Sequence, residues 1–324
     1  LRAAQLAAVE RVLGSGWYVL GEEVSSFEAL WAARCGVAHS VGVANGMDAI
    51  EIGMRALGIG PGDEVITTPM TAFATVLAIL RAGAEPVLAD IEAETGLLDP
   101  ESVERCISSR TKAILLVHLF GQIRDMDRWL DLCSRHDLLL LEDCAQAHLA
   151  EWQGRTAGSF GAFGAYSFYP TKNLGAIGDA GALVTTSRDL AEAARSIRNY
   201  GQSVRYHHPV TGLNSRLDEL QAAILKVRLG WIDEFTARRR EIARRLRTGL
   251  AGHPEVRSLA EPQQPESHVY HLFVVICKER QRLAEYLGAH GIQTFVHYPI
   301  PVHRQPPAAE LRTDSRGLGV AESF

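Results

Sequence analysis

The sequence predicts an α/β protein built on a parallel sheet, and three observations carry that expectation. Short apolar runs alternate with amphipathic stretches through the middle of the chain, the pattern of successive βαβ units. The runs are apolar almost throughout, as strands are when helices cover both sheet faces. Turn residues rich in Gly and Pro separate them. The 324 residues suffice for a large core and more than one domain.

Taken in order, Val65–Thr67, Pro86–Asp90, Lys112–His118 and Leu138–Glu142 read as buried strands. Between them, Ala72–Arg81, Pro100–Ser108 and Asp125–His136 carry apolar residues at three- and four-residue spacing and read as helices. Gly58-Ile59-Gly60-Pro61-Gly62-Asp63 cannot continue a helix and ends the one before it. From Ser215 to Leu250 the pattern is one long helix or two in series, with Leu217, Leu220, Ile224, Val227, Trp231 and Phe235 as its apolar stripe. The basic runs Arg238–Arg240 and Arg244–Arg247 read as a solvated helix face rather than a nucleic-acid contact. Gly252–Ser267 looks like a linker. Beyond it, His268–Cys277, Glu279–His290 and Ile292–His297 read as strand, helix and strand, which suits a smaller second domain.

Composition narrows the function classes. Hydrophobic residues make up 47% and charged residues 22%, as in soluble globular proteins, and the net charge of -5 argues against nucleic acid as the main partner. The five cysteines (35, 106, 133, 144 and 277) are odd in number and form no C-x-x-C pair, so a disulfide framework or zinc site is not expected and a reducing cytoplasm is. No apolar run reaches the length of a membrane span, so no membrane partner is expected, and no signal-peptide pattern opens the chain.

Four segments hold candidate chemistry. Ala44-Asn45-Gly46-Met47-Asp48 reads as a strand end, a turn and a helix start; free backbone amides there make a phosphate cradle, although an Asn-Gly turn is commonplace. Leu139-Leu140-Leu141-Glu142-Asp143-Cys144-Ala145-Gln146 puts two carboxylates at the C-terminal end of an apolar strand, where open α/β sheets place their ligands; a helix-capping role fits them equally. Ser167-Phe168-Tyr169-Pro170-Thr171-Lys172-Asn173-Leu174-Gly175 sets one lysine among aromatic and small residues. Such surroundings disfavour its charged form and expose a nucleophilic amine, whereas most loop lysines are merely solvated. His297-Tyr298-Pro299-Ile300-Pro301-Val302-His303 reads as a rigid polar binding loop, with no third metal ligand close in sequence.

These segments resemble the DegT/DnrJ/StrS sugar aminotransferases. The order and spacing of Glu142–Gln146 and Ser167–Gly181 are specific to that family, and Gly212–Ala223 is a further match. The similarity runs from Gly14–Gly21 to the last residues, and the family continues beyond the position of Phe324. The resemblance implies the fold type I architecture of pyridoxal-phosphate enzymes. That means a large domain, residues 1–250, with a mostly parallel mixed sheet flanked by helices, and a smaller α+β domain, residues 251–324.

It also implies roles. Lys172 resembles the lysine that holds pyridoxal 5'-phosphate as a Schiff base and then moves the proton as general base and acid. Asp143 resembles the carboxylate paired with the ring nitrogen, and Gln146 the partner of the ring hydroxyl. Ser167 and the backbone amides of Gly46 and Met47 resemble phosphate ligands. Asn214 resembles an asparagine that reaches the phosphate of the neighbouring subunit, which implies a homodimer with shared sites. Tyr18, His297, Tyr298 and His303 are expected at the substrate. The His297–His303 run looks most like members that aminate carbon 3 of a dTDP-linked 3-keto-6-deoxyhexose, with glutamate as donor; enzymes of 4-keto-sugars and keto-cyclitols share the rest.

Two positions depart from the pattern: Met47 stands where the family usually has Thr, and Ala72 where it often has an aromatic ring. Met70 and Phe73 are then the candidates to cover the cofactor face. Related sugar 3-dehydratases carry His in place of Lys172. A nicotinamide oxidoreductase would need a G-x-G-x-x-G turn after an early strand, and none stands there. Intact Lys172, Asp143 and Gln146 speak against a silent regulatory homologue.

Overall fold

The computed structural model describes residues 1–324. The chain opens with helices α1 (Arg2–Ser15) and α2 (Glu22–Cys35). An alternating stretch follows: β1 (His39–Val43), α3 (Gly46–Ala56), β2 (Glu64–Thr67), α4 (Phe73–Ala82), β3 (Glu85–Leu88), α5 (Pro100–Cys106), β4 (Thr111–Val117), α6 (Met126–His136) and β5 (Leu139–Asp143). A small hairpin, β6 (Glu151–Trp152) and β7 (Arg155–Thr156), precedes β8 (Phe163–Ser167), β9 (Gly181–Thr185) and α7 (Arg188–Ile197). The rest comprises α8 (Glu219–Leu229), α9 (Ile232–Leu250), β10 (Val256–Ser258), β11 (Val275–Cys277), α10 (Arg280–Ala289), β12 (Arg312–Thr313) and α11 (Gly319–Ser323).

Eight strands form one sheet in the order β1-β9-β8-β5-β4-β2-β3-β12. The six from β8 to β12 run parallel, and β9 lies antiparallel to both β8 and β1. The connections explain this reversal. Parallel neighbours need a crossover, whereas β8 and β9 are joined by a loop without a helix, so the chain turns back beside itself. That loop carries Lys172.

The sheet is covered on both faces, and β4 shows how. Its Ile114 and Leu116 pack into a cluster with Phe27 and Trp31 of α2, Trp129 and Leu132 of α6 and Leu225 of α8. Its Ala113 and Leu115 join the opposite cluster, with Ile50 and Ile52 of α3, Ile79 of α4 and Leu190 of α7. Side chains at period two on a doubly covered strand yield the unbroken apolar runs seen in the sequence.

The strands and helices expected between residues 65 and 142 stand within about two residues of their places, the usual scatter of element ends. The Ser215–Leu250 segment takes the second of its two expected forms, two helices in series. Three later expectations need correction. Trp231 of the expected stripe is exposed, while the buried residues of the segment include Leu225, Leu229 and Ile232. Ile292–His297 is not a strand: it pairs with no neighbour, and Ile292 and Phe295 stand exposed. The linker region contains a short strand, β10, paired with β11.

The arginines of α9 do more than face solvent. Arg239 donates to the carbonyls of Tyr270 and His271, and Arg240 to that of His268. They hold the 268–271 segment against the core. Near the end of the chain, β12 pairs with β3 and thereby joins the edge of the main sheet.

Candidate active site

The site gathers at the C-terminal ends of β4, β5 and β8, where parallel sheets leave a crevice. Asp143 ends β5 and is almost fully buried. Its Oδ2 accepts from Thr75 Oγ1 at 2.8 Å, and its Oδ1 from the backbone amide of Ala145 at 3.1 Å. Glu142, one residue earlier, faces the other way and is wholly buried. It accepts from His118 Nε2, Gly158 N, Phe160 N and Gly161 N at 2.7–2.9 Å. The two carboxylates thus divide the roles left open between them: Glu142 braces two turns, and Asp143 keeps lone pairs for the crevice. Cys144 Sγ lies near His118 and Glu142, but burial holds its thiol well above the ordinary range. That trio is scaffold, with the Glu142 lone pairs already engaged.

Gln146 is fixed by both ends of its amide. Oε1 accepts from Phe120 N at 2.6 Å, and Nε2 donates to the Tyr298 hydroxyl at 3.2 Å. The Phe120 amide turns inward because Phe120 and Gly121 both adopt positive φ, 62° and 96°. Gly121 is required there: a Cβ would stand 2.8 Å from the Gln146 carbonyl oxygen. With Oε1 anchored, an N–H of Gln146 remains to donate into the crevice.

Lys172 lies in the loop between β8 and β9. Burial pushes its ammonium below the ordinary lysine range, while the Asp143 carboxylate pulls it back up. Its neighbour Asn173 ties the loop to the 268–271 segment, donating to Val269 O at 2.9 Å and meeting His271 Nδ1 at 3.3 Å. Burial, and secondarily the charge of Lys172, lowers His271 to about 2 and His148 to about 3. Two neutral imidazoles therefore lie within reach of the lysine's charge. His297 is also lowered, first by burial and then by Lys172.

The start of α3 forms the third wall. Asn45 caps it, accepting from Asp48 N at 2.9 Å, which leaves the amides of Gly46 and Met47 free at a helix N-terminus. Ser167, at the end of β8, packs against it: a Cβ on Gly46 would stand 2.8 Å from that of Ser167. A Cβ on Gly181 would stand 2.3 Å from the Asn45 carbonyl carbon. These glycines bring backbone amides and the Ser167 hydroxyl together as a cradle for a phosphate-sized anion. A phosphorylated pyridine aldehyde fits this donor set: amides and a hydroxyl for the phosphate, a carboxylate for a ring nitrogen, an amide N–H for a ring hydroxyl and a desolvated amine for the aldehyde.

Of the residues expected at the site, Lys172, Asp143, Gln146, Ser167, Gly46, Met47, His297 and Tyr298 line this region. The Met47 side chain leans toward Arg81, its sulfur 3.9 Å from Nη1. His303 instead meets Glu322 of α11 at 3.2 Å. Tyr18 and Asn214 are exposed on this chain. Met70 is buried and Phe73 half-buried, both in an apolar cluster with Val117, Phe120 and Tyr298. Sequence reasoning missed Thr75, His148 and His271, and it gave Asn173 no role although that residue stands in the Lys172 run. The threonine also left a trace, in the four-residue spacing of Thr71 and Thr75 where α4 begins.

Comparison with known proteins agrees with this geometry. The model of the DegT/DnrJ/EryC1/StrS aminotransferase family matches residues 1–324. A dTDP-3-amino-3,4,6-trideoxy-alpha-D-glucose transaminase from Streptomyces venezuelae is 47% identical over 324 residues, covering 100% of this chain and 85% of that protein. The crystal structure of DesV from S. venezuelae, solved in complex with a ketimine intermediate, superposes with a TM-score of 0.96 at 46% identity, covering 100% of this chain and 87% of DesV. NtdA from Bacillus subtilis, solved with bound PMP, gives a TM-score of 0.86 at 31% identity, covering 94% of this chain and 70% of that one. The chain belongs to the DegT/DnrJ/EryC1/StrS family of pyridoxal-phosphate-dependent aminotransferases.

Proposed function

We propose that this chain transfers an amino group from L-glutamate to carbon 3 of a dTDP-linked 3-keto-6-deoxyhexose. The observation that carries the chemistry is the buried Lys172, whose amine senses the charge of the Asp143 carboxylate. The similarity to the S. venezuelae transaminase supports the substrate class. Pyridoxal 5'-phosphate, when bound, supplies an electron sink for the carbanion that transamination creates. The Gly46 and Met47 amides and the Ser167 hydroxyl hold its phosphate, Asp143 keeps the proton on its ring nitrogen, and Gln146 donates to its ring hydroxyl. Lys172 would hold its aldehyde carbon, and the Lys172 amine, pushed by burial toward its uncharged form, would take the proton from the α-carbon of the donor. His148 and His271, kept neutral by burial, add no charge of their own near that amine. Tyr18, His297 and Tyr298 serve the sugar substrate, whereas His303 is held by Glu322.

Assays with 3-keto and 4-keto dTDP-sugars side by side, glutamate as donor, test the regiochemistry. Turnover of the 3-keto sugar is expected, and preference for the 4-keto isomer overturns the assignment.

The working unit in this reading is a homodimer whose partner contributes Asn214 to the phosphate. The exposure of Asn214 on its own chain supports this. Lys172→Ala and Asn214→Ala chains, mixed into heterodimers at limiting cofactor, should exceed the summed activity of the separate variants. No gain, with heterodimers present by native mass spectrometry, refutes shared sites. The five free cysteines support a reducing compartment, the cytoplasm. No helix is long and apolar enough to cross a membrane.

A further inference from the structure

Asp143 does not stand alone beneath the crevice. Thr75, in the first turn of α4, donates to Asp143 Oδ2 at 2.8 Å, and Thr71 Oγ1 lies 2.8 Å from Thr75 Oγ1. All three side chains are buried: relative exposures are 4% for Thr71, 1% for Thr75 and 6% for Asp143. The direction of this chain follows from proton counting. A hydroxyl has one proton to give. Thr75 gives its proton to the carboxylate, so the Thr71 hydroxyl must donate to Thr75. The Ala145 amide holds Oδ1 from the other side. The carboxylate is therefore gripped at both oxygens by donors from two different elements, the start of α4 and the turn after β5.

We propose that Thr75, backed by Thr71, is a positioning residue for the transamination: it fixes the rotamer in which Asp143 presents its carboxylate to the cofactor's ring nitrogen. The proposal rests on the reading of Asp143 given above. Carboxylates on short side chains turn easily about their last bond, which is a broad torsion. A ring-nitrogen proton is held well only when the acceptor oxygen stays in line with it. The titratable groups that sense Asp143 are Lys172, Tyr298 and Cys144. None of them is hydrogen-bonded to its carboxylate oxygens, so the orienting contacts are those from Thr75 and Ala145. Thr75 touches neither substrate nor cofactor in this role; it acts through Asp143.

The test compares Thr75→Val, Thr75→Ser and Asp143→Asn with the wild-type holoenzyme. Two readouts are taken: steady-state kinetics, and the 15N resonance of cofactor labelled at its ring nitrogen. Thr75→Val removes the hydroxyl at nearly constant shape. Its kcat should fall about ten- to a hundredfold, as loss of a hydrogen bond to a charged group allows. KM for the sugar should stay within about threefold, since no substrate contact is lost. The ring-nitrogen resonance should move toward that of Asp143→Asn, and Thr75→Ser should restore both readouts. Impaired Asp143→Asn beside a wild-type Thr75→Val overturns the role of Thr75 alone. Wild-type behaviour of Asp143→Asn overturns the reading of Asp143 itself. Lower melting temperature and cofactor occupancy in Thr75→Val, with an unmoved resonance, reduces Thr75 to a structural residue and also refutes the proposal. Should Thr75→Val fail to fold, Thr71→Val removes only the outer link. A smaller shift in the same direction supports the relay there, and an unmoved resonance refutes it.

Discussion

Two opposing effects act on the Lys172 amine. Burial favours the neutral form, and the Asp143 carboxylate favours the cation; burial dominates, so the balance tips toward the nucleophile. Lys172→Ala should keep its fold, by circular dichroism and melting temperature, and lose nearly all turnover. Borohydride treatment of the cofactor-loaded wild type, followed by peptide mass mapping, should place the label on Lys172, and a label on another lysine removes the assignment. The segments that hold Lys172, Asp143 and Gln146 stood out in the sequence because each is a short run with recognisable neighbours. Thr75 and His271 did not. Their partners lie 68 residues away, at Asp143, and 98 residues away, at Asn173, and no local pattern encodes a contact that only the sheet order creates.

Among the elements, α3 shows most directly how a local sequence makes a binding surface. Asn45 caps the helix, and glycines at 46 and 181 let its first turn approach β8 and β9. Met47 supplies a backbone amide there but no hydroxyl. Met47→Thr should therefore tighten cofactor binding by about tenfold, the worth of one added hydrogen bond to a charged group. The release of cofactor on dialysis or dilution measures this; unchanged affinity means that the residue 47 side chain does not reach the phosphate. The elements between residues 65 and 142 were readable because buried parallel strands and amphipathic helices each leave a period. Ile292–His297 misled for a physical reason. An apolar run becomes a strand only when a neighbour completes its ladder, and this one has none. The β8–β9 reversal was equally hidden, since strand direction depends on what the connecting loop allows.

Across the whole molecule, acid should act through a set of buried neutral histidines. Burial lowers His148 and His268 to about 3 and His271 to about 2, from an ordinary 6.5. The sign follows from proton binding. Below about pH 6.5 the unfolded chain takes up protons that the folded chain refuses, so stability is lost as pH falls from there toward 3. Each such group contributes a slope of about 1.4 kcal/mol per pH unit within that window. His268 is the one to test, because it lies outside the catalytic group. Its Nδ1 accepts from Tyr270 N at 3.0 Å, its ring stacks on Tyr270 at 3.9 Å, and its carbonyl accepts from Arg240. Protonating Nδ1 would set a proton against that amide, so acid should loosen the segment that brings His271 to Lys172. His268→Asn keeps an acceptor near the Nδ1 position but cannot take up a proton. Urea unfolding between about pH 6.5 and 4 should show stability falling less steeply in this variant, by about 1.4 kcal/mol per pH unit. Wild type should be the more acid-sensitive of the two even where the variant is less stable at neutral pH. Parallel stability curves across that range would mean that His268 takes up its proton in the folded protein as readily as in the unfolded one.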